Sequence, residues 1–320
     1  MEVSKPILEV RELKTYFPIR RGVMAKTVGY VKAVDGVSFT IPEGKILGLV
    51  GESGCGKTTV ARSIIGLAKP RSGEIRFLGE NLLELNPRNF KPLRRKLQMI
   101  FQDPVSSLNP RMNVLDIVTE GLVEYGMVWE SPLVHAVQLL KEVGLEKDAV
   151  YRYPHEFSGG QRQRISIARA ISLKPDFIIC DEPVSALDVS VQAQIINLLM
   201  DLRDRYGLSY LFISHDLSVV NHIADRIAVM YLGVIVEHGP GREVILNPMH
   251  PYTQALVRAI PIPGIEKKEK NSLKGEIPSP SNPPSGCRFH TRCPEVMTVC
   301  RTENPRHLIS GERHVWCHLY

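Results

Sequence analysis

The sequence predicts an α/β fold with an antiparallel strand region in front, a helical insertion in the middle and a small cysteine-rich extension behind. Three observations carry that prediction. Ile46-Leu47-Gly48-Leu49-Val50 is a short continuous apolar run ending in a Gly-rich turn, and a helical stretch from Lys57 to Leu67 follows, so strand, loop and helix come in order. The same α/β pattern returns after Arg162, with strands expected at Phe177–Cys180 and Tyr210–Ile213 and a helix from Val191 to Arg205. Between these two stretches, from about residue 104 to 160, apolar positions recur at helical spacing, as in Val114, Ile117, Val118 and Leu122, and again in Val137, Leu140 and Val143.

Taken in chain order, residues 7–50 alternate apolar and polar positions with turn residues between them, as antiparallel strands do. Ile227 to Val236 is the longest apolar run; rich in Ile and Val, it reads as buried strands, since a spanning helix needs about 20 apolar residues. After about residue 240 the pattern weakens, and Ile260 to Pro284, rich in Pro, Lys, Glu and Ser, reads as an extended linker or surface wrap. The expected division is residues 1–240 for the α/β domain, with its helical subdomain at about 104–160, and 241–320 for the extension. No internal repeat is visible.

The composition narrows the classes. At 320 residues the chain can bury a large core, and its 43% hydrophobic and 23% charged residues are those of an ordinary globular protein. The net charge of +6 is spread in both signs, which favours a solvated mixed surface over a nucleic-acid stripe. Residues Met1 to Pro6 lack an apolar signal core. The expectation is a soluble, cytosolic chain that reaches a membrane only through a partner. Four of the six cysteines, Cys287, Cys293, Cys300 and Cys317, crowd into the last segment, which in a cytosolic chain points to metal rather than disulfides.

The chemistry-bearing residues lie at loop and strand ends. Gly51-Glu52-Ser53-Gly54-Cys55-Gly56-Lys57-Thr58 matches G-x-x-x-x-G-K-[ST] in full, between an expected strand and helix. Gly51, Ser53, Gly54 and Gly56 let backbone N–H groups close around phosphates. Lys57 reaches the outer phosphates, Thr58 offers a hydroxyl to Mg²⁺, and Thr59 helps hold the phosphates. A plain Gly-rich turn is the bland alternative, and the context disfavours it. Phe177 to Glu182 is an apolar strand ending in two acids: Asp181 can hold Mg²⁺ and Glu182 can polarise an attacking water. Alone, that pair reads as a capped helix start. His215 ends a third strand, where it can donate to a terminal phosphate, and the Gln102 amide can reach Mg²⁺ or the water. Phe157-Ser158-Gly159-Gly160-Gln161 is a second Gly-rich element before a helix expected from Arg162 to Leu173. A helix start of this kind also attracts phosphate. Two phosphate sites so far apart in one chain imply ATP sandwiched between two copies of the fold.

Together these motifs resemble, in order, the ATP-binding subunit of an ABC transporter. The resemblance covers about residues 7 to 240: the P-loop Gly51–Thr58, the Q-loop Gln102, the signature Phe157–Gln161, the Walker B strand with Glu182, the D-loop Ser185-Ala186-Leu187-Asp188 and the switch histidine His215. Phe157 stands where Leu is commonest, a mild apolar swap. The resemblance implies a P-loop NTPase (RecA-like) core and a head-to-tail pair of subunits. Each ATP then lies between one P-loop and the other subunit's Ser158, Gly159, Gly160 and Gln161. It also places an aromatic on adenine, Tyr16, with Phe17 as the competing choice and core packing as the alternative for both.

Cys287-x5-Cys293-x6-Cys300-x16-Cys317 contains no C-x-x-C pair. Zinc knuckles favour short pairs, whereas iron–sulfur clusters accept four thiolates from wider spacings. The residues alone leave Zn²⁺, a cluster and unliganded thiols open. Met249-His250-Pro251-Tyr252-Thr253, the Pro-rich stretch, Gly286-Cys287-Arg288-Phe289 and Arg292-Cys293-Pro294 are similar to the extension of oligopeptide/dipeptide-type ABC subunits. That resemblance favours a [4Fe–4S] cluster on all four thiolates, with Zn²⁺ as the alternative; His290, His314 and His318 read as surface residues. It implies the motor of a peptide importer at the cytoplasmic face of the membrane, with nickel or oligosaccharide as alternative cargo. Its partners would be a second, related ATPase chain, two transmembrane permease subunits and, indirectly, an extracellular solute-binding protein. A soluble ABC ATPase of DNA repair is disfavoured because the interval from Gln102 to Ser158 is too short for a coiled coil, and one of translation because the chain holds one ATPase unit.

Overall fold

A computed structural model of the chain describes residues 5–22, 25–127, 131–260 and 275–320. Two long strands come first, β1 (Pro6–Arg21) and β2 (Lys26–Pro42), paired antiparallel. Their alternation buries Leu8, Val10 and Leu13 together with Val34, Val37, Phe39 and Ile41. All five residues of β3 (Ile46–Val50) are buried, as a continuous apolar run requires. α1 (Lys57–Ile64) follows. It stops short of the expected Leu67 because Gly66 turns left-handed (φ 76°) and the N–H groups of Leu67 and Ala68 both return to Arg62 O, at 2.8 and 2.9 Å.

β4 (Ser72–Phe77) pairs with β1, and the short β5 (Glu80–Asn81) pairs with β4. α2 (Pro87–Lys96) leads into β6 (Leu97–Ile100). The expected helical insertion contains α3 (Pro104–Ser107), α4 (Val114–Glu124) and α5 (Pro132–Glu142), followed by two short 3-10 turns. Asp103 and Asn113 cap α3 and α4 with side-chain oxygens. α6 (Gly159–Ile171) begins three residues before the expected Arg162, because Ser158 and Gln161 form a capping box around its first turn. β7 (Phe177–Asp181), α7 (Val189–Tyr206) and β8 (Ser209–Ser214) each run slightly past their expected bounds. Then come α8 (Leu217–Ile223), β9 (Arg226–Tyr231), β10 (Val234–Pro240), α9 (Gly241–Leu246) and α10 (Pro251–Ala259). α11 (Val299–Thr302) and a hairpin of β11 (His307–Ser310) and β12 (Arg313–Trp316) close the order.

Two compact units result: one from the residues up to Pro42 with Ile46–Glu84 and Phe212–Tyr320, the other from Glu43–Lys45 with Leu85–Leu211. The first holds the antiparallel sheet β2-β1-β4-β5 and the strand order β11-β12-β10-β9-β3, with the end of β8 beside β3. β3 and β9 run parallel there, while β10 pairs antiparallel with both β9 and β12. In the second unit the start of β8 is followed by β7 and β6, the last two parallel. α4, α5 and α6 pack on one another beside them.

The extension shares the core of the first unit, packing on β9 and β10. Phe289 is fully buried, with its ring 5.2 Å from Tyr231 and 5.4 Å from Tyr252. Glu237 of β10, also fully buried, accepts from Met249 N, His250 N and Arg313 Nη2. Of the Pro-rich stretch, residues 261–274 lie outside the described residues. Residues 275–284 form loop, in which Pro280 O accepts the Lys32 N–H at 3.0 Å.

Candidate functional site

In the first unit the loop between β3 and α1 turns on glycines. Gly56 has φ 112°, and a Cβ there would come to 2.1 Å from Ala33 O. Lys57 is buried, and its Nζ donates to Gly51 O (2.7 Å) and Glu52 O (3.0 Å), so its charge is held against carbonyl oxygens of its own loop. Ser53 and Gly54 are exposed, while Thr58 and Thr59 are half-buried in the first turn of α1. The N–H groups of such a first turn have no partner within the helix, which suits them to phosphate oxygens. Cys55 is buried, and burial pushes its thiol above the ordinary range.

Two long-range ties hold this loop. Glu52 N–H donates to Tyr252 Oη at 2.9 Å. The Glu52 carboxylate receives both arms of Arg292, Nη1 to Oε2 at 2.6 Å and Nη2 to Oε1 at 3.0 Å. Tyr16, the expected adenine partner, is half-buried and donates its hydroxyl to Asp35, which also pairs with Arg288. Burial and that bond to Asp35 push the Tyr16 phenol up to about 12. Burial alone would raise the Asp35 carboxyl, yet the Tyr16 hydroxyl and Arg288 hold it below the usual range. The Arg71 guanidinium lies 5.3 Å from the centre of the Tyr16 ring and 5.3 Å from that of Tyr30. Phe17 is 43% exposed. His215 is exposed directly after β8, next to Asp216, the cap of α8.

In the second unit Asp181 is the last residue of β7 and is buried, with Glu182 next to it. Glu182 stands in the left-handed region at φ 47°, an uncommon conformation for a glutamate. Ser185 N and Oγ both donate to Glu182 O, which holds that turn. Gln102 Nε2 donates to Glu182 Oε2 at 3.1 Å, so two residues 80 positions apart meet. Ser158 Oγ accepts from Gln161 N at 3.3 Å and Gln161 Oε1 accepts from Ser158 N at 3.0 Å. Ser158, Gly159 and Gln161 are exposed. A Cβ on Gly160 would meet Val191 Cγ1 at 2.5 Å. Asp188 caps α7, and its bonds from Ser190 and Val191 hold its carboxyl below the usual range.

The four clustered cysteines are free thiols, three buried and Cys293 half-buried. Cys287 N–H donates to Cys300 O at 2.9 Å. Burial first, and then Cys300, Cys317 and Cys293, push the Cys287 thiol up to about 11 against a bond from the Phe289 N–H, so all four lie within electrostatic reach of one another. Among the described residues no group of three or more His, Cys, Asp or Glu side chains stands where it could hold a single metal ion. The expected cluster or zinc site therefore has its donors in one neighbourhood but not in ligand geometry. His290 Nδ1 and Cys287 O lie 2.9 Å apart, His314 is half-buried against His307, and His318 Nε2 lies 3.0 Å from Glu303 O.

Sequence reasoning missed Glu52, Asp35, Arg71, Tyr252, Arg288 and Arg292. The two arginines carried one local signal, their position beside Cys287 and Cys293. The capping box of α6 was also readable, as Ser158-x-x-Gln161.

The family profile "ABC transporter" matches residues 34–185, and that of "Oligopeptide/dipeptide transporter, C-terminal region" matches residues 236–300. The chain is 52% identical over 323 aligned residues to the oligopeptide transport ATP-binding protein AppF of Bacillus subtilis (strain 168), covering 99% of this chain and 98% of AppF. It is 51% identical to OppF of Escherichia coli (strain K12), covering 95% and 93%. Among solved structures, cbiO1 from Clostridium perfringens, part of the transporter complex cbiONQ, superposes with a TM-score of 0.65 at 27% identity, covering 76% of this chain and 92% of that one. The ATP-binding cassette MJ0796, a dimer in a post-hydrolysis state bound to ADP and Pi, gives 0.64 at 26%, covering 73% and 99%.

Proposed function

The chain belongs to the ATP-hydrolysing subunits of ABC transporters, and from that premise we propose that it powers uptake of di- or oligopeptides across the cytoplasmic membrane. The observation that carries the reading is that the cassette and the oligopeptide-type C-terminal region occur in one chain that aligns almost end to end with AppF. On this reading residues 1–240 are the motor and 241–320 its extension.

The residue roles follow from chemistry. Loop N–H groups of Gly51, Ser53, Gly54 and Gly56 and the ammonium of Lys57 receive the phosphates, with Thr59 beside them. The hydroxyl of Thr58, the carboxylate of Asp181 and the amide oxygen of Gln102 are hard oxygen donors suited to Mg²⁺, which neutralises phosphate charge when bound. Glu182, oriented by the Gln102 amide, takes the proton of the attacking water, and His215 donates to the departing γ-phosphate. Tyr16 stacks on adenine. Ser158, Gly159, Gly160 and Gln161 serve the ATP of the opposite subunit, with Asp188 of the D-loop at the same junction. That MJ0796 is a dimer bound to ADP and Pi supports a paired arrangement of cassettes.

The opposite subunit is a related ATPase chain, and two permease subunits carry the peptide, delivered by an extracellular solute-binding protein. No described helix is long and apolar enough to cross a membrane, in keeping with peripheral attachment at the cytoplasmic face. Cys287, Cys293, Cys300 and Cys317 would hold a [4Fe–4S] cluster, the alternative being Zn²⁺, and either group would act as a structural cross-link of the segment. What supports this is four free thiols clustered in the last segment of the sequence, whose thiolate forms bound metal would stabilise. Iron and sulfide analysis of anaerobically purified protein decides between the two.

The catalytic assignment is tested by Glu182→Gln. Turnover should fall at least ~100-fold while ATP binding is retained; hydrolysis at the wild-type rate would remove Glu182 from its role.

A further inference from the structure

The stretch from Cys287 to Cys293 begins and ends on clustered cysteines, and an arginine sits just inside each end. Arg292 is almost enclosed, its side chain 5% exposed, and it meets Glu52 with both arms. Glu52 is the second residue of the phosphate loop. Its N–H is tied to Tyr252, its carbonyl to Lys57 and its carboxylate to Arg292, so every polar group it has is committed. An acid at this point would by itself repel a polyphosphate, and a two-pronged guanidinium both neutralises the charge and fixes its direction. At the other end Arg288 pairs with Asp35 and donates to Leu232 O, and Asp35 in turn accepts the Tyr16 hydroxyl. Phe289, between the two arginines in sequence, is fully buried against Tyr231 and Tyr252, which seats the stretch.

We propose that Arg292 and Arg288 are positioning residues of the nucleotide site, Arg292 setting the phosphate loop through Glu52 and Arg288 setting the Tyr16 ring through Asp35. The extension thus braces the motor's own ATP site at its phosphate end and at its base end. The inference rests on reading Gly51–Thr58 and Tyr16 as that site. A stretch serving only to cap the fold would bury its phenylalanine and leave its arginines to solvent. Here both guanidiniums are spent on residues flanking nucleotide-binding groups.

The test uses the full-length protein with its metal complement, measuring binding of a fluorescent ATP analogue, competition by tripolyphosphate, and KM and kcat for MgATP. Arg292→Ala strands the Glu52 carboxylate beside the phosphates, so KM for ATP should rise about tenfold with kcat within about twofold, and tripolyphosphate should compete correspondingly less well. Adding Glu52→Gln removes the stranded charge and should recover at least half of that loss. Arg288→Ala should weaken the ATP analogue about threefold and leave tripolyphosphate competition unchanged, since its path leads to the base end. Arg292→Lys, which keeps the charge but not the two-pronged geometry, should fall between wild type and Arg292→Ala, and it decides the matter if Arg292→Ala does not fold. Wild-type KM in folded Arg292→Ala or in Arg292→Lys, or a double variant no better than the single, overturns the proposal. Failure of the wild-type protein to bind ATP would instead remove the reading of the nucleotide site itself.

Discussion

The chain carries two Gly-rich elements that we assign to phosphate, and they are held in opposite ways. The loop Gly51–Thr58 is fixed from far away in sequence, by Tyr252 and Arg292, 200 and 240 positions from Glu52. The element Phe157–Gln161 is fixed locally, by the reciprocal bonds of Ser158 and Gln161 and by the close approach of Val191 to Gly160. The first keeps its lysine buried, while the second leaves Ser158, Gly159 and Gln161 exposed. The lesson is that a loop holding its own ligand gains from a stiff frame. An element that must meet a ligand on another chain gains from exposure and needs only enough local order to keep its helix start open.

The largest test of that contrast is Gly159→Asp. Gly159 is the first residue of α6 and a Cβ there meets nothing nearer than Leu187 Cδ2 at 3.4 Å, so the side chain fits. An aspartate at a helix start favours the helix yet repels a phosphate brought to it. ATP turnover should fall at least ~100-fold while a fluorescent ATP analogue still binds with wild-type affinity. If binding and turnover fell together, the two elements would share one site within the chain and the contrast would fail.

An intermediate effect is expected from acid. His250 is buried, its Nδ1 accepts Tyr252 N–H at 3.0 Å, and its ring lies 5.6 Å from Phe289, so it supports the residues that brace the phosphate loop. Burial drives its pKa down to about 3; His238 is likewise driven to about 3, by burial and then by Arg226 and His314. Below the ordinary histidine value of about 6.5 the unfolded chain takes up protons that the folded chain refuses. Their contribution is therefore fully present above that value and is lost as pH falls towards 3, by roughly 1.4 kcal/mol per pH unit for each group. Thermal melts between pH 8 and 5 should show this loss. His250→Asn, whose amide oxygen can also cap α10, should show a shallower slope, and an unchanged slope would remove His250 from the account.

The same contrast explains what the sequence revealed. The phosphate loop, the strand ends at Asp181 and His215 and the signature were legible because each is a local pattern, with its residue types a fixed few positions apart. The bond from Gln102 to Glu182 joins two such patterns, but neither names the other. The tie from Arg292 to Glu52 was not legible, since nothing in either segment names its partner and only the packing of Phe289 against Tyr231 and Tyr252 brings them together. Helix bounds failed for smaller reasons. α1 ended early at a left-handed Gly66, and α6 began early because the box of Ser158 and Gln161 outweighs the low helix propensity of two glycines.

The smallest effect concerns one hydroxyl with two tasks. Ser158 Oγ accepts the Gln161 N–H, a cap whose loss in Ser158→Ala should cost about 1 kcal/mol of stability. Its own O–H is a donor, and in the proposed sandwich that donor would face the phosphate of the opposite subunit's ATP. Ser158→Asp separates the tasks, because aspartate caps a helix as well as serine does but has no proton to give and carries a repelling charge. Its melting temperature should match wild type while turnover drops, whereas Ser158→Ala should lose on both counts. A Ser158→Asp protein as active as wild type would mean that the hydroxyl serves α6 alone. The second phosphate element would then rest on the backbone N–H groups of Gly159, Gly160 and Gln161.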